Sequence, residues 1–549
     1  MKEIEFNLLT EPWVRVRRPD NTVQEVSLTD ALLHAQDYVD LAGEIPTQDA
    51  AMLRLLLAVL FTVFSRVNAK GKPQPLAQSD DALERWSELW QLGHFPAEPV
   101  RDYLEQWKDR FWLFHPTHPF WQVPTLSNGI EFDGKKLNGE RAESGNKTPL
   151  FQNISKAECA VLTYAQAARW LIYQNGYDER GGRPKAGNKP RHGVGWLGQI
   201  GFVAVKGKNL YETLLRNMAF STEQDALREK QLPCWEREHA RTEQSVEIVM
   251  PKNQAELLTL QSRRILLIRS EEMPGVVGYE VLGGDYWDSE NAFGEQMTLW
   301  RRTSKENEKV TYEPQQHEMG KQLWRELPAM LDPEGRKPGV LIWNQKLQSL
   351  RILSKKEQIV ISVVGIRYDD QGASVKDVYT DQLEMQLATL NNLGRKWTVR
   401  ISREVQRCEE TAKNIGTLCV ELKLAGGLDY NKVKGFKDKQ KVTEDARAQF
   451  YFAVDQPFRQ WLQAIDPEQD DPDEAALRWQ AQARNIAEKL GKQMVMEAGN
   501  AALKGHRIVV DKDKKTERTI CIPRQRPIIV SAQGFGRSIP KQNHKGGIV

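Results

Sequence analysis

The longest apolar pattern in the chain runs from Thr47 to Arg66, where one dense face predicts a buried helix. Ahead of it, Phe6 to Arg17 (FNLLTEPWVRVR) sets Trp13, Val14 and Val16 behind Pro12 and predicts an opening strand. The turn Pro19-Asp20-Asn21 then lets Val23 to Val26 pair back as a hairpin. Ser79 before Asp80 and Asp81 predicts an N-cap and an acidic first turn for a helix through Trp90; another helix follows from Pro96 to about Phe111. Ser155-Lys156-Ala157-Glu158 has the form of a capping box and predicts a helix to about Tyr173. Gly201 to Val205, Arg264 to Ile268, Val310 to Tyr312 and the β-branched run Ile359 to Ile366 predict strands, and Asn209 to Met218 a helix.

After Val375 the spacing becomes helical to about residue 505. Four stripes follow steps of three and four: Leu383, Leu387, Leu390; then Val405 to Leu422; Ala446 to Ile465; and Ala476 to Met494. Loops around Gly426-Gly427 and Asp466 to Asp473 join them. The class expected is therefore α+β: a large mixed α/β N-terminal domain over 1–375 and a four-helix bundle over 376–505. A basic segment, 506–549, follows, with Arg507 to Val510 and Arg518 to Ile522 placed to form a hairpin and a loosely ordered tail beyond Pro523.

Composition narrows the partners. The chain has 549 residues, 40% hydrophobic and 28% charged, with a formal net charge of only +3. Any nucleic-acid surface must then come from local patches. The cysteines at 159, 234, 408, 419 and 521 show no C-x-x-C spacing, which argues against a zinc ribbon or a disulfide framework. The N-terminus lacks the apolar run of a signal peptide, and Leu55 to Phe64 is too short to span a membrane. A cytoplasmic protein with no membrane partner and no cofactor is the simplest expectation.

One stretch cannot sit in a core. Gln174 to Trp196 (QNGYDERGGRPKAGNKPRHGVGW) sets glycines 176, 181, 182, 187, 193 and 195 among Arg180, Arg183, Lys185, Lys189 and Arg191. Glycine allows close backbone approach and neighbouring cations favour an anion, so this loop suits a nucleic-acid backbone or groove; a solubilising surface loop is the alternative. Further cations cluster at Arg395, Lys396, Arg400, Arg403 and Arg407, partly on one helical face, and at Lys432, Lys434 and Lys437. They make a phosphate-contacting edge, or simply a solvated face. Metal sites are poorly supported: prolines disrupt the spacing of His115 and His118, and Asp369-Asp370 before Gly372 fits turn chemistry.

FNLLTEPWVRV at the start, HPFWQV at 118–123, and a mixed domain ahead of helical stripes resemble the large subunit of the type I-E CRISPR surveillance complex, Cascade (the CasA family). The resemblance extends to about residue 505. It implies a protein without a catalytic centre that docks on the CRISPR RNA-bearing complex with other Cascade subunits. Such a protein reads a short protospacer-adjacent motif from the minor groove of double-stranded DNA, wedges the duplex open and recruits a helicase-nuclease. By resemblance, the reading tip falls on Phe151, Gln152 and Asn153. The glycine loop falls on Gly181 and Gly182, with Arg183 and Lys185 beside them. The wedge falls on Gln371, followed by Gly372 and Ala373. The family's basic finger has no clear lysine here; Arg263, Arg264 and Arg269 lie nearby. Two other classes stay open: a metal-dependent nucleic-acid-processing enzyme, and a purely architectural ribonucleoprotein subunit.

Overall fold

The computed structural model describes residues 4–138, 161–180, 193–220, 230–238, 242, 249–304, 309–332, 335–369, 372, 374–390, 395–427, 436–511 and 516–520, with side chains left out at 395, 436–439, 503 and 506–520. These form a mixed helix-and-sheet fold, as expected, in two compact units: 1–323 with 332–383, and 324–331 with 384–549.

The first unit is built around the helix Pro46–Arg66. Proline in its first turn fits the N-terminal geometry, and nearly every residue from Thr47 to Ser65 is buried. By length and composition alone this helix could cross a membrane, but 94% of its apolar window is buried inside the protein. It packs against the helices Tyr164–Tyr177 and Gln254–Leu258. Small antiparallel sheets surround it. Val14–Arg17 pairs with Val23–Val26 in the expected hairpin, and Arg263–Arg269 pairs with Val276–Gly283. A third sheet has Gln358–Tyr368 at its centre, between Phe202–Lys206 and Val375–Gln386. The phrases that carried the resemblance are core. Trp13 is fully buried and its indole donates to the Leu8 carbonyl at 2.8 Å. Gln122 donates to Leu113 O and accepts from Leu267 N, tying two sheets together.

Five sequence expectations shift. The opening strand expected over Phe6 to Arg17 is two, Glu5–Asn7 paired with Trp112–Phe114 and Val14–Arg17 in the hairpin. Of the helix expected from Ser155, the start Ser155 to Glu158 lies outside the described residues; the described helix begins at Tyr164, where Thr163 and Gln166 form the capping box. Leu162 is extended and exchanges both backbone bonds with Val276 at 2.8 Å, so no helix can run through it. Gln78, not Ser79, caps the helix Ser79–Leu92, reciprocally with Asp81. The strand expected at Val310 starts at Tyr312. The first of the four stripes is not a helix: Leu383 lies within the strand Val375–Gln386, and Leu387 to Leu390 make one 3-10 turn. Three apolar positions do not separate a helical period from an alternating one, and sheet pairing decides.

The second unit holds the remaining three stripes as the helices Arg395–Ala425, Phe436–Ala464 and Pro472–Glu497, with the short Gly499–Lys504 as a fourth and Leu327–Leu331 added from earlier in the chain. Its core is aromatic. Trp324 stacks on Phe458 at 4.4 Å, and Phe458 meets Trp479 edge-on at 5.0 Å. The basic segment pairs as expected, His506–Asp511 against Thr516–Ile520.

Candidate nucleic-acid interface

Three segments carry the expected DNA-reading residues. Phe151, Gln152 and Asn153, and Gly181, Gly182, Arg183 and Lys185, lie outside the described residues, as do Gln371 and Ala373. The roots of all three segments are described, and they converge within the first unit.

The hairpin tip is a tight turn. Asp369 N donates to Ser374 O at 2.9 Å, Gly372 N donates to Asp369 O at 2.8 Å, and the Ser374 hydroxyl donates to the Asp369 carboxylate at 3.0 Å. Gly372 has φ +69°, a conformation that side-chain-bearing residues rarely adopt. Asp369 thus serves the turn, as its place before glycine suggested. The root of the glycine-basic loop docks on this tip: Arg180 N donates to Gly372 O at 2.7 Å, and a Cβ on Gly372 would stand 3.1 Å from Arg180 Cβ and 3.5 Å from Val194. One layer below, Tyr368 donates its hydroxyl to Tyr177 O at 2.6 Å, and burial raises its phenol well above the ordinary range, so it stays a neutral donor.

The two ends of the loop are zipped. Gly195 N donates to Asp178 O at 2.9 Å, and Gly195 lies so close to Gly176 that a Cβ would meet its carbonyl oxygen. The guanidinium of Arg263 sits across this zipper. Nε donates to Asp178 Oδ2 at 2.6 Å, and Nη2 reaches Asp178 O at 3.2 Å, Glu179 O at 2.9 Å and Gly193 O at 3.0 Å. The third segment, 139–160, leaves from Asn138. Its preceding helix Gly134–Leu137 is tied to the same place by Lys136 Nζ on Glu179 at 2.7 Å and by Gln174 Nε2 on Leu137 O at 3.0 Å. A cavity of about 150 Å³ lies among the roots, lined by Lys136 and Asn138, by Trp170, Tyr173 and Tyr177, and by Val375 and Val378.

Two of the arginines near the expected basic finger point inward. Arg263 and Arg264 are 2% and 0% exposed, and Arg264 Nη2 pairs with Asp285 at 2.6 Å. Arg269 pairs with Glu5 at 3.1 Å and lies over the Phe114 ring. The sequence placed Arg263 only near the expected basic finger and gave it no role of its own. The usable signal was an arginine pair opening a strand with an apolar middle, RRILLIR.

In the second unit the cationic candidates divide. Lys396 and Arg403 are exposed. Arg400 pairs with Asp473, and Arg407 Nη1 pairs with the buried Glu404 at 2.9 Å. Burial raises the Glu404 carboxyl to about 7 against the pull of Arg407, Arg400 and Arg403. Arg395 and Lys437 fall in helices, while Lys432 and Lys434 lie outside the described residues. Among the described residues no group of three or more His, Cys, Asp or Glu is placed to hold a metal ion. His115 Nδ1 accepts from His118 N at 2.9 Å, a local turn bond.

A family model described as CRISPR-associated protein Cse1 matches residues 7–490. The chain belongs to the Cse1 family. The match starts inside the FNLLTEPW phrase and ends in the helix Pro472–Glu497, leaving the basic segment outside it. A CasA/Cse1 protein of Thermus thermophilus is 36% identical over 237 residues, a stretch spanning 42% of this chain and 42% of that relative. The crystal structure of Thermobifida fusca Cse1 has the same fold, with a TM-score of 0.78 at 28% identity over 96% of this chain and 98% of that one. A chain of a CRISPR RNA-guided surveillance complex shares the fold at a TM-score of 0.61 and 19% identity, over 90% of this chain and 99% of that one.

Proposed function

We propose that this Cse1-family chain is the non-catalytic DNA-reading subunit of a type I-E surveillance complex, working in the cytoplasm with the other Cascade proteins and the CRISPR RNA. It meets the protospacer-adjacent motif from the minor groove through Phe151–Asn153 and the Gly181–Lys185 stretch. Gln371 then enters the base stack to start the R-loop, and the complex hands the opened duplex to a helicase-nuclease. The observation that carries this is the convergence of the three roots: Arg180 on Gly372, Arg263 across both ends of the glycine loop, and Lys136 on Glu179.

The chemistry suits the task. A minor groove offers a degenerate code, so a few small tips suffice to test it. Unstacking a base step costs a few kcal/mol, which a wedge can supply only if its own geometry is already fixed. The Asp369–Ser374 turn and the Gly372–Arg180 bond hold the hairpin tip in that way. A glutamine enters the stack without the desolvation cost of an ion. Lys396 and Arg403 stand exposed for phosphates, whose contribution falls steeply with salt.

The test is Gln371→Ala in a complex reconstituted with CRISPR RNA. Duplex opening, followed by permanganate reactivity, should fall while RNA binding and assembly persist. A variant that opened target as well as its parent would remove the wedge role. Labelled duplex incubated with the free chain and Mg²⁺ or Mn²⁺ should remain intact; cleavage would favour the nuclease class instead.

A further inference from the structure

Arg263 occupies the first position of the strand Arg263–Arg269 and is 2% exposed, a costly place for a cation. Its five N–H donors form a rigid fork. One edge of the fork takes the Asp178 carboxylate at 2.6 Å, and Nη1 takes the carbonyl of the preceding residue, Ser262 O, at 2.8 Å. Nη2 faces carbonyls from both ends of the glycine loop: Asp178 and Glu179 from one, Gly193 from the other. The next residue after Glu179 is Arg180, whose N–H holds Gly372 of the hairpin tip at 2.7 Å. A single guanidinium therefore fixes the gap between the two loop roots and, one residue on, the seat of the hairpin. A buried charge is a weak device for stability alone, because well-packed apolar residues often replace buried ion pairs at no loss. A fork that spans two backbones does require arginine, since a lysine ammonium places its three donors around one point.

We propose that Arg263, with Asp178, is a positioning residue for motif reading, setting the spacing between the loop roots and the hairpin so that both meet the groove in register. This rests on the DNA-reading function proposed above.

The experiment compares parent, Arg263→Lys and Arg263→Gln chains in the reconstituted RNA-bearing complex. Affinity is measured for duplexes with and without the flanking motif, across a salt series, beside the melting of each free chain. Arg263→Lys keeps a cation beside Asp178 and should fold and assemble. Its preference for the motif-bearing duplex should drop roughly ten- to a hundredfold, the effect of an ångström-scale misplacement, with the salt slope unchanged. Discrimination within twofold of the parent, or an equal loss on both duplexes, would overturn the positioning role while leaving the DNA-reading function standing. A parent chain that itself shows no preference would overturn both. Should Arg263→Lys fail to assemble, amide exchange on the free chain decides. Faster exchange at Arg180 and Gly195, with the strand Val276–Gly283 unchanged, supports the role; acceleration throughout the unit overturns it.

Discussion

Gly193 and Gly195 lie two residues apart on the same loop root, yet alanine should have opposite effects at them. Gly195 has φ −54° and ψ 158°, which alanine adopts without strain. On backbone entropy alone the substitution would stabilise by about 0.4–1 kcal/mol. Its Cβ, however, would stand 2.3 Å from Gly176 O and 2.6 Å from Gly176 C, both backbone atoms that no rotamer change can move. Ordinary contact lies near 3.5 Å, so the two backbones must part by about 1 Å. That breaks the 2.9 Å bond from Gly195 N to Asp178 O. Overpacking at about 1–3 kcal/mol and a lost hydrogen bond at about 1 kcal/mol, less the entropic gain, give a net destabilisation of about 1–3.5 kcal/mol. At Gly193 the nearest atom to an added Cβ is Gln199 Nε2 at 3.7 Å, ordinary contact with a flexible side chain, so only the entropic gain remains. Urea unfolding followed by tryptophan fluorescence reads both. With a slope of about 3 kcal/mol/M, the Gly195→Ala midpoint should fall by up to roughly 1 M and that of Gly193→Ala should hold or rise. A Gly195→Ala chain as stable as its parent would mean that the two backbones are not in this contact, and the zipper beneath Arg263 would go with it.

Three further outcomes follow from other parts of the molecule. Burial raises the Asp49 carboxyl to about 6, against the hydrogen bond from Gly43, so the folded state holds this proton more tightly than the unfolded chain, whose carboxyl titrates at 3.8. Stability contributed by the site is therefore full below about pH 4, is lost as pH rises toward about 6, and stays lost above; Asp49→Asn should gain about 1–2 kcal/mol at pH 7.5 and nothing near pH 4, and a pH-independent difference in thermal unfolding would refute it. Trp324 is fully buried, stacks on Phe458 and donates to Asp455 at 2.8 Å; Trp324→Ala should cost the helical unit about 3–5 kcal/mol, read as earlier proteolysis of that unit, and unchanged protease resistance would contradict it. Replacing the exposed Lys396 and Arg403 together by alanine should shrink the salt slope of DNA binding by about 2, whereas an unchanged slope would place the DNA elsewhere.

What the sequence disclosed, and what it withheld, divides along range of interaction. The helix Pro46–Arg66 and the hairpin Val14–Val26 were legible because their patterns repeat within one element. The start of the helix Tyr164–Tyr177 was not, because it is set by Val276, which pairs with Leu162 from far along the chain and holds it extended. The loop of glycines and cations was visible as composition. Its clamp was not, since Arg263 and Asp178 are separated by 85 positions and an arginine beginning a strand reads equally well as surface charge. The cationic face of the helix Arg395–Ala425 makes the same point in the other direction. Arg400 and Arg407 do follow helical spacing, but Asp473 from a neighbouring helix engages one and Glu404 from the same helix the other. A basic stripe is thus only an upper bound on an electrostatic surface. What such a stripe offers to a phosphate backbone depends on the acids brought beside it by packing, so under the proposed DNA-reading function the exposed Lys396 and Arg403 are the cations of the described face expected to carry salt dependence.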